Sequence, residues 1–167
     1  MARYWLISPY LSTEREAFEQ VWEYDLKNGV IAIGWENLGD VSGMSADQLM
    51  VKVREVYGDK HAGWRFRILW QFYHEIEPGD VVIARRGTKT IAAAGTVTGK
   101  AFYNEKMGRE RGGARTTEGF YSHFIRVQWH HDKRDIAFAR IVFPRQTLYP
   151  YSEEKFRSLI AEGRTSR

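Results

Sequence analysis

None of the 167 residues is cysteine, which excludes disulfides, thiolate nucleophiles and thiolate metal ligands, and fits a reducing cytoplasm. Proline is scarce, at four. No apolar run approaches the roughly 20 residues of a membrane-spanning helix, so no membrane partner is expected. Met1-Ala2-Arg3-Tyr4-Trp5 enters an apolar segment without the layout of a secretory leader. Phosphate-cradling loop, dinucleotide fingerprint and HExxH are all missing. None of the eight serines sits in a nucleophile elbow. Of the five histidines, His130 and His131 are densest, beside Asp132. Neighbours on a strand point to opposite faces, so these two do not readily share an ion. No catalytic residue, metal or cofactor is expected.

Aromatic residues are abundant instead, at 14%, with six tryptophans. The net charge of +4 is modest but uneven. Between Arg85 and Arg115 eight basic residues (Arg85, Arg86, Lys89, Lys100, Lys106, Arg109, Arg111 and Arg115) face only Glu105 and Glu110. Local basicity of this kind suits a surface that meets phosphate, which makes nucleic acid the expected partner. Of these, Arg85, Arg86, Lys89, Lys106, Arg109, Arg111 and Arg115 are the candidate phosphate contacts.

Patterning along the chain gives one domain over 1–161, with 162–167 a tail or the start of a linker. Tyr4 to Ser8 is a strand closed by Pro9. Thr13 with Glu16 forms a capping box for a helix that buries Phe18, Val21, Trp22 and Leu26 and stops at Asn28-Gly29. Val30 to Ile33 is a strand buried on both sides. Ser45 with Gln48 opens a second helix, and a third runs from about Gly63 to Glu75. After the turn Pro78-Gly79-Asp80 come Val81 to Ala84, a hairpin tip at Arg86 to Lys89, and a return strand over Ile91–Val97. Its Ala92-Ala93-Ala94-Gly95 run has little bulk, so something packs close to that backbone or the strand bends. A long Gly-rich basic loop fills about Lys100 to Gly119. A strand at His123 to Trp129 turns at His130 to Lys133 into Ile136 to Val142, and Ser152 to Ala161 closes the chain as a helix. The fold class is α+β: a small mixed β-barrel of five or six strands with three or four helices outside.

Trp22, Trp70 and Trp129 lie inside elements and read as core. Trp35 lies at a strand end, between Gly34 and a turn carrying Asn37 and Asp40, which are able to hydrogen-bond a base edge. Tyr103, Phe120 and Tyr121 flank the basic loop. Rings stack on bases at about 1–3 kcal/mol each, while cations hold phosphates.

Tyr4-Trp5-Leu6-Ile7-Ser8-Pro9, Gly29 to Trp35 leading to Leu38-Gly39-Asp40, Phe72 to Ala84 with its Ile76-Glu77-Pro78-Gly79-Asp80-Val81 core, Gly95 to Gly99 and His123 to Trp129 follow one another in an order that resembles the EVE-like and YTH-like branch of the PUA-like superfamily. The likeness spans about residues 3 to 150. It is nearest to the N-terminal modules of McrB-type and related modification-dependent restriction proteins. The resemblance implies a reader that captures one flipped, modified base of DNA in an aromatic cage. Trp35 would be the cage tryptophan, Ser8 and Pro9 would line the base edge, and Tyr103, Phe120 or Tyr121 would form the second wall. A nuclease or ATPase would be fused or partnered. An RNA-binding domain of the same fold, or a nucleic-acid-modifying enzyme, are the alternatives.

Overall fold

Short apolar strands that bury both faces need packed layers on either side of a sheet, and that is the architecture found. The computed structural model describes residues 1–114 and 119–165. In chain order come β1 (Tyr4–Ile7), α1 (Arg15–Asn28), β2 (Val30–Ile33), a 3-10 turn (Glu36–Leu38), α2 (Ala46–Tyr57), α3 (Ala62–Trp70) running into a π-helical turn (Gln71–Glu75), β3 (Val81–Arg86), β4 (Thr90–Val97), β5 (Phe102–Tyr103), α4 (Glu105–Arg111), β6 (His123–Ala137), β7 (Leu148–Tyr151) and α5 (Glu153–Thr165). The sheet order is β2-β6-β4-β3-β1-β7, with the short β5 also paired to β6. The sheet curls into a half-barrel. Among the described strands only β1 and β3 run parallel, in the register Tyr4↔Val81 to Ile7↔Ala84.

Alternation along the strands divides the core. Trp5, Ile7, Val82 and Ala84 join Phe18, Val21, Leu49 and Leu69 on the face covered by α1, α2 and α3. Leu6, Ile83, Ala94 and Ile136 pack with Phe156 and Ile160 of α5 on the other. Asp80 locks the parallel pair: its carboxylate accepts from Arg3 N, Trp5 Nε1 and Glu77 N, each at 3.0 Å.

The α+β class and the curled mixed sheet are as the sequence implies. Strands number seven and α-helices five among the described residues, more than expected. Ser45 does form the capping box of α2 with Gln48. Thr13 does not cap α1, which starts at Arg15 with no side-chain cap. The supposed loop after Lys100 contains β5 and α4. The supposed turn at His130 to Lys133 is continuous strand, because β6 absorbs the irregularity as a register shift opposite Ala93 and Ala94. Pairing with β4 resumes after the shift and β6 ends at Ala137, with no strand continuing to Val142. The closing helix passes Ala161 and reaches Thr165, with Glu162 holding Arg140 through two 2.7 Å bonds.

The small-residue run in β4 bends at this register shift and is also closely packed. A Cβ on Gly95 would lie 2.5 Å from Val127 Cγ1, 2.7 Å from Gln128 O and 2.9 Å from Trp129 Cε3. Backbone cannot yield as a flexible side chain does, so Gly95→Ala is expected to cost about 1–3 kcal/mol in urea unfolding, as overpacking does. A loss below about 0.5 kcal/mol would show that β6 moves away freely.

Candidate nucleic-acid interface

Trp35 occupies an unusual position. Its backbone is left-handed, at φ 69° and ψ 42°, a conformation rare for a bulky side chain and costing about 1–3 kcal/mol. Surrounding contacts hold it there. The Trp35 carbonyl accepts from His123 Nε2 at 3.1 Å. Because that carbonyl only accepts, Nε2 carries the proton, and Nδ1 accepts from the Tyr73 hydroxyl at 2.5 Å. His123 is wholly buried. Burial pushes its imidazolium down to about 4, against the opposing pull of the Trp35 carbonyl and Asp40, so the ring is neutral. Burial likewise raises the Tyr73 hydroxyl.

The residues around Trp35 meet the segments flanking α4. Glu36 is the clasp: Oε2 accepts from Phe120 N at 2.6 Å, Oε1 lies 3.5 Å from Arg109, and its carbonyl is 3.2 Å from the Tyr103 hydroxyl. Tyr103 donates to Glu105 at 2.7 Å. Burial, then the bond to Glu105, raises this phenol. The Tyr121 ring lies where a Gly34 Cβ would stand 3.4 Å from it, 5.4 Å from the Tyr10 ring. Turn and loop are therefore neighbours.

The Trp35 ring itself points elsewhere. It is 5% exposed, less than Trp70, and meets Trp64 of α3 edge-on at 5.6 Å. The ring it meets edge-on, Trp64, is 38% exposed. Trp35 Nε1 has no hydrogen-bond partner among the described residues. Asn37 and Asp40 are exposed. Hydrogen bonds from Ser42 hold the Asp40 carboxyl below its usual range. Ser8 Oγ donates to Tyr10 O at 2.9 Å, and Pro9 is buried.

The basic cluster separates into different roles. Arg111 is not a surface cation. It is wholly buried, with Nε and Nη2 2.8 Å from the two oxygens of Asp25 and Nη2 also 2.8 Å from Pro9 O. Its guanidinium lies 5.4 Å from the centre of the Tyr121 ring. A buried carboxylate needs such a partner, and Asp25 supplies the reason this arginine turns inward. Burial pushes the Asp25 carboxyl up to about 6, with the Arg111 charge pulling the other way. Arg85 is also buried, donating to Gly87 O and Gln146 O. Arg86 pairs with Glu19 and Asp135, and Arg109 with Glu36 and Glu105. Lys89 and Lys106 are exposed, and Arg115 lies outside the described residues. The cluster is therefore not one continuous patch, because carboxylates remote in sequence neutralise part of it.

Trp22 and Trp129 are core, edge to face at 4.9 Å. His130 bonds Thr96 at 2.9 Å, while His131 lies 3.2 Å from Arg134. No group of three or more metal-ligating side chains occurs among the described residues, nor does any helix there have the length and apolarity to cross a membrane. Trp64, Tyr73 and His123 lie in segments the sequence patterning assigns to structure and are not among its candidate site residues. The one available signal was His123 at the start of an alternating strand, in a position the alternation assigns to the interior.

A curled mixed sheet with a clasped, strained tryptophan turn at one end defines a small α+β domain without an evident catalytic constellation among the described residues. The chain belongs to the family described as "Domain of unknown function (DUF8426)", which matches residues 9–152. No curated protein matches it. Among solved structures it is similar to the YTH domain of the Zygosaccharomyces rouxii MRB1 protein, solved in complex with N6-methyladenosine RNA. The TM-score is 0.44 and the identity 10%, over 97% of this chain and 86% of the other. It is also similar to a hypothetical protein from Leishmania major, at TM-score 0.42 and 8% identity over 99% and 97%.

Proposed function

We propose that this domain is a nucleic-acid reader that binds DNA and takes one modified base, a methylated adenine or modified cytosine, against the Trp35 turn. It would act as the specificity module of a modification-dependent restriction system whose nuclease or ATPase is fused or separate. The observation that supports this reading is the strained backbone of Trp35, held by Tyr73, His123 and Glu36. Strain maintained by so many contacts is characteristic of ligand clamps. With it go the buried Trp35 indole N–H, which has no hydrogen-bond partner among the described residues, and the half-open Trp64 ring, suited to stacking.

The two tryptophans have separable parts. Trp35 is core as well as site, so truncating it would also destabilise the domain. Trp64 is exposed enough to be removed with the fold intact. Trp64→Ala is expected to abolish the preference for modified over plain duplex while leaving most non-specific affinity. Stacking at about 1–3 kcal/mol matches the whole discrimination available to a cage, where one methyl contributes about 0.8 kcal/mol. The check is a titration of folded wild type and variant with duplexes carrying N6-methyladenine, 5-methylcytosine, 5-hydroxymethylcytosine or no modification. A wild type that prefers none of these, nor modified RNA, would leave only plain nucleic-acid binding.

A further inference from the structure

We propose that the cavity between the end of β1 and the β3–β4 turn is a binding site for a phosphate group. The cavity holds about 270 Å³ and is lined by Ser8, Ser12, Thr13, Thr88, Arg85 and Arg145, among others, with no acidic residue in its wall. The hydroxyls of Ser12, Thr13 and Thr88 and two guanidinium groups are a donor set for an anion, while the Ser8 hydroxyl is already given to Tyr10 O.

The charges make the case. Arg3, Arg86, Arg109, Arg111 and Arg140 each have a carboxylate within ion-pair distance. Arg85 and Arg145 have none among the described residues. Arg85 is 7% exposed and gives Nη1 and Nη2 to neutral carbonyls. Its Nε has no partner among the described residues. Burial, and then the neighbouring Arg145 charge, make it harder for Arg85 to keep its proton. Two cations brought together without a counter-charge are unfavourable until an anion enters.

The cavity lies beyond the carboxyl ends of the parallel strands β1 and β3, where the chain leaves β1 towards α1 and leaves β3 through the hairpin turn. Gly87 turns there at φ +66°, a left-handed conformation that suits glycine, beside Ser12. Thr13, freed from capping, lines the wall, and the uncapped first turn of the 14-residue α1 follows it.

The phosphate comes from a strand or from a free anion, and the site goes beyond the base-reading proposal because it stands without it. The test follows the Arg85 Nε–H signal of the full chain by NMR during titration with inorganic phosphate, a 5′-mononucleotide and a short DNA strand. Arg145→Gln, on the exposed side of the cavity, is titrated in parallel, with circular dichroism to verify folding. The expected result is a shift of the Arg85 signal with the strand. Arg145→Gln should weaken strand binding about tenfold, equally for modified and plain DNA, and make the salt slope shallower by about one. A shift with phosphate or mononucleotide only would support the site and assign it to a free anion, leaving the reader proposal to its own titration. An unmoved Arg85 signal with all three probes would overturn the site. So would unchanged strand affinity in Arg145→Gln when neither small anion shifts that signal.

Discussion

Asp25→Ala is expected to unfold about 3–5 kcal/mol more easily than wild type, with a melting temperature lower by about 10 °C. The substitution leaves the Arg111 guanidinium in the interior without a counter-charge, and an uncompensated buried charge is among the costliest single defects. Arg111→Met should cost a similar amount through the stranded Asp25 carboxylate. The double variant Asp25→Leu/Arg111→Met should regain most of the loss, since an apolar pair of similar size avoids desolvating two ions. A double-mutant cycle in urea measures this coupling. Single substitutions costing under 1 kcal/mol would mean that water reaches the pair. The pair ties α1 to α4 and, through Pro9, to the end of β1, and Tyr121 rests on it. Losing it should therefore loosen the Tyr10–Tyr121 side of the candidate interface before the rest of the domain.

The neutral His123 predicts a pH dependence of comparable size. Its folded value of about 4 lies below the ordinary 6.5, so the unfolded chain takes up the proton first as acid is added. The stability it contributes is complete above pH 6.5 and is lost as pH falls through 4, about 3 kcal/mol in all. Asp25 runs the other way: raised to about 6, it protonates first in the folded state and offsets part of the loss. The comparison that isolates His123 from such groups is with His123→Gln, which keeps a donor and an acceptor without titrating. The stability difference between the two proteins should shrink by about 3 kcal/mol from pH 7.5 to pH 4 in guanidinium unfolding. A difference independent of pH would place the His123 ring in contact with water.

Short-range patterns carried most of the fold. Apolar runs gave β1, β2 and β3, and Ser45 with Gln48 gave the start of α2. The helix α4 was hidden by Gly108, which as a sequence reads as flexibility. In the structure it is a close approach, because a Cβ there would collide with Ser122 Oγ. Turn signals at His130 to Lys133 mark the place where the β4 register jumps from His130 to Arg134, so the strand passes through with His131 to Lys133 unmatched on β4 instead of reversing. The meeting of the Trp35 turn with the segments around α4 was legible, but the direction of the Trp35 ring was not. Gly34-Trp35-Glu36 does meet the segments around Tyr103 and Phe120. Yet from the left-handed turn the Trp35 ring packs on Trp64, because ring direction depends on backbone and side-chain dihedrals that the residue type does not encode. Arg111 failed for a related reason: its partner is 86 residues away.

The placement of β1 also has a kinetic side. It is an inner strand, yet the partners that fix it come from far along the chain: Arg3 meets Asp80 77 residues away, and Tyr4 meets Glu153 149 residues away. Closing loops of that size has to precede any reward from the contacts, which slows folding. Neighbouring strands β3 and β4 need only the tight turn at Gly87. The hairpin is therefore expected to form early, and β1 to slot between β3 and β7 as one of the last events. Until it does, the edge of β3 stands unpaired, the interval in which a nascent or refolding chain is most exposed to pairing with another copy of itself.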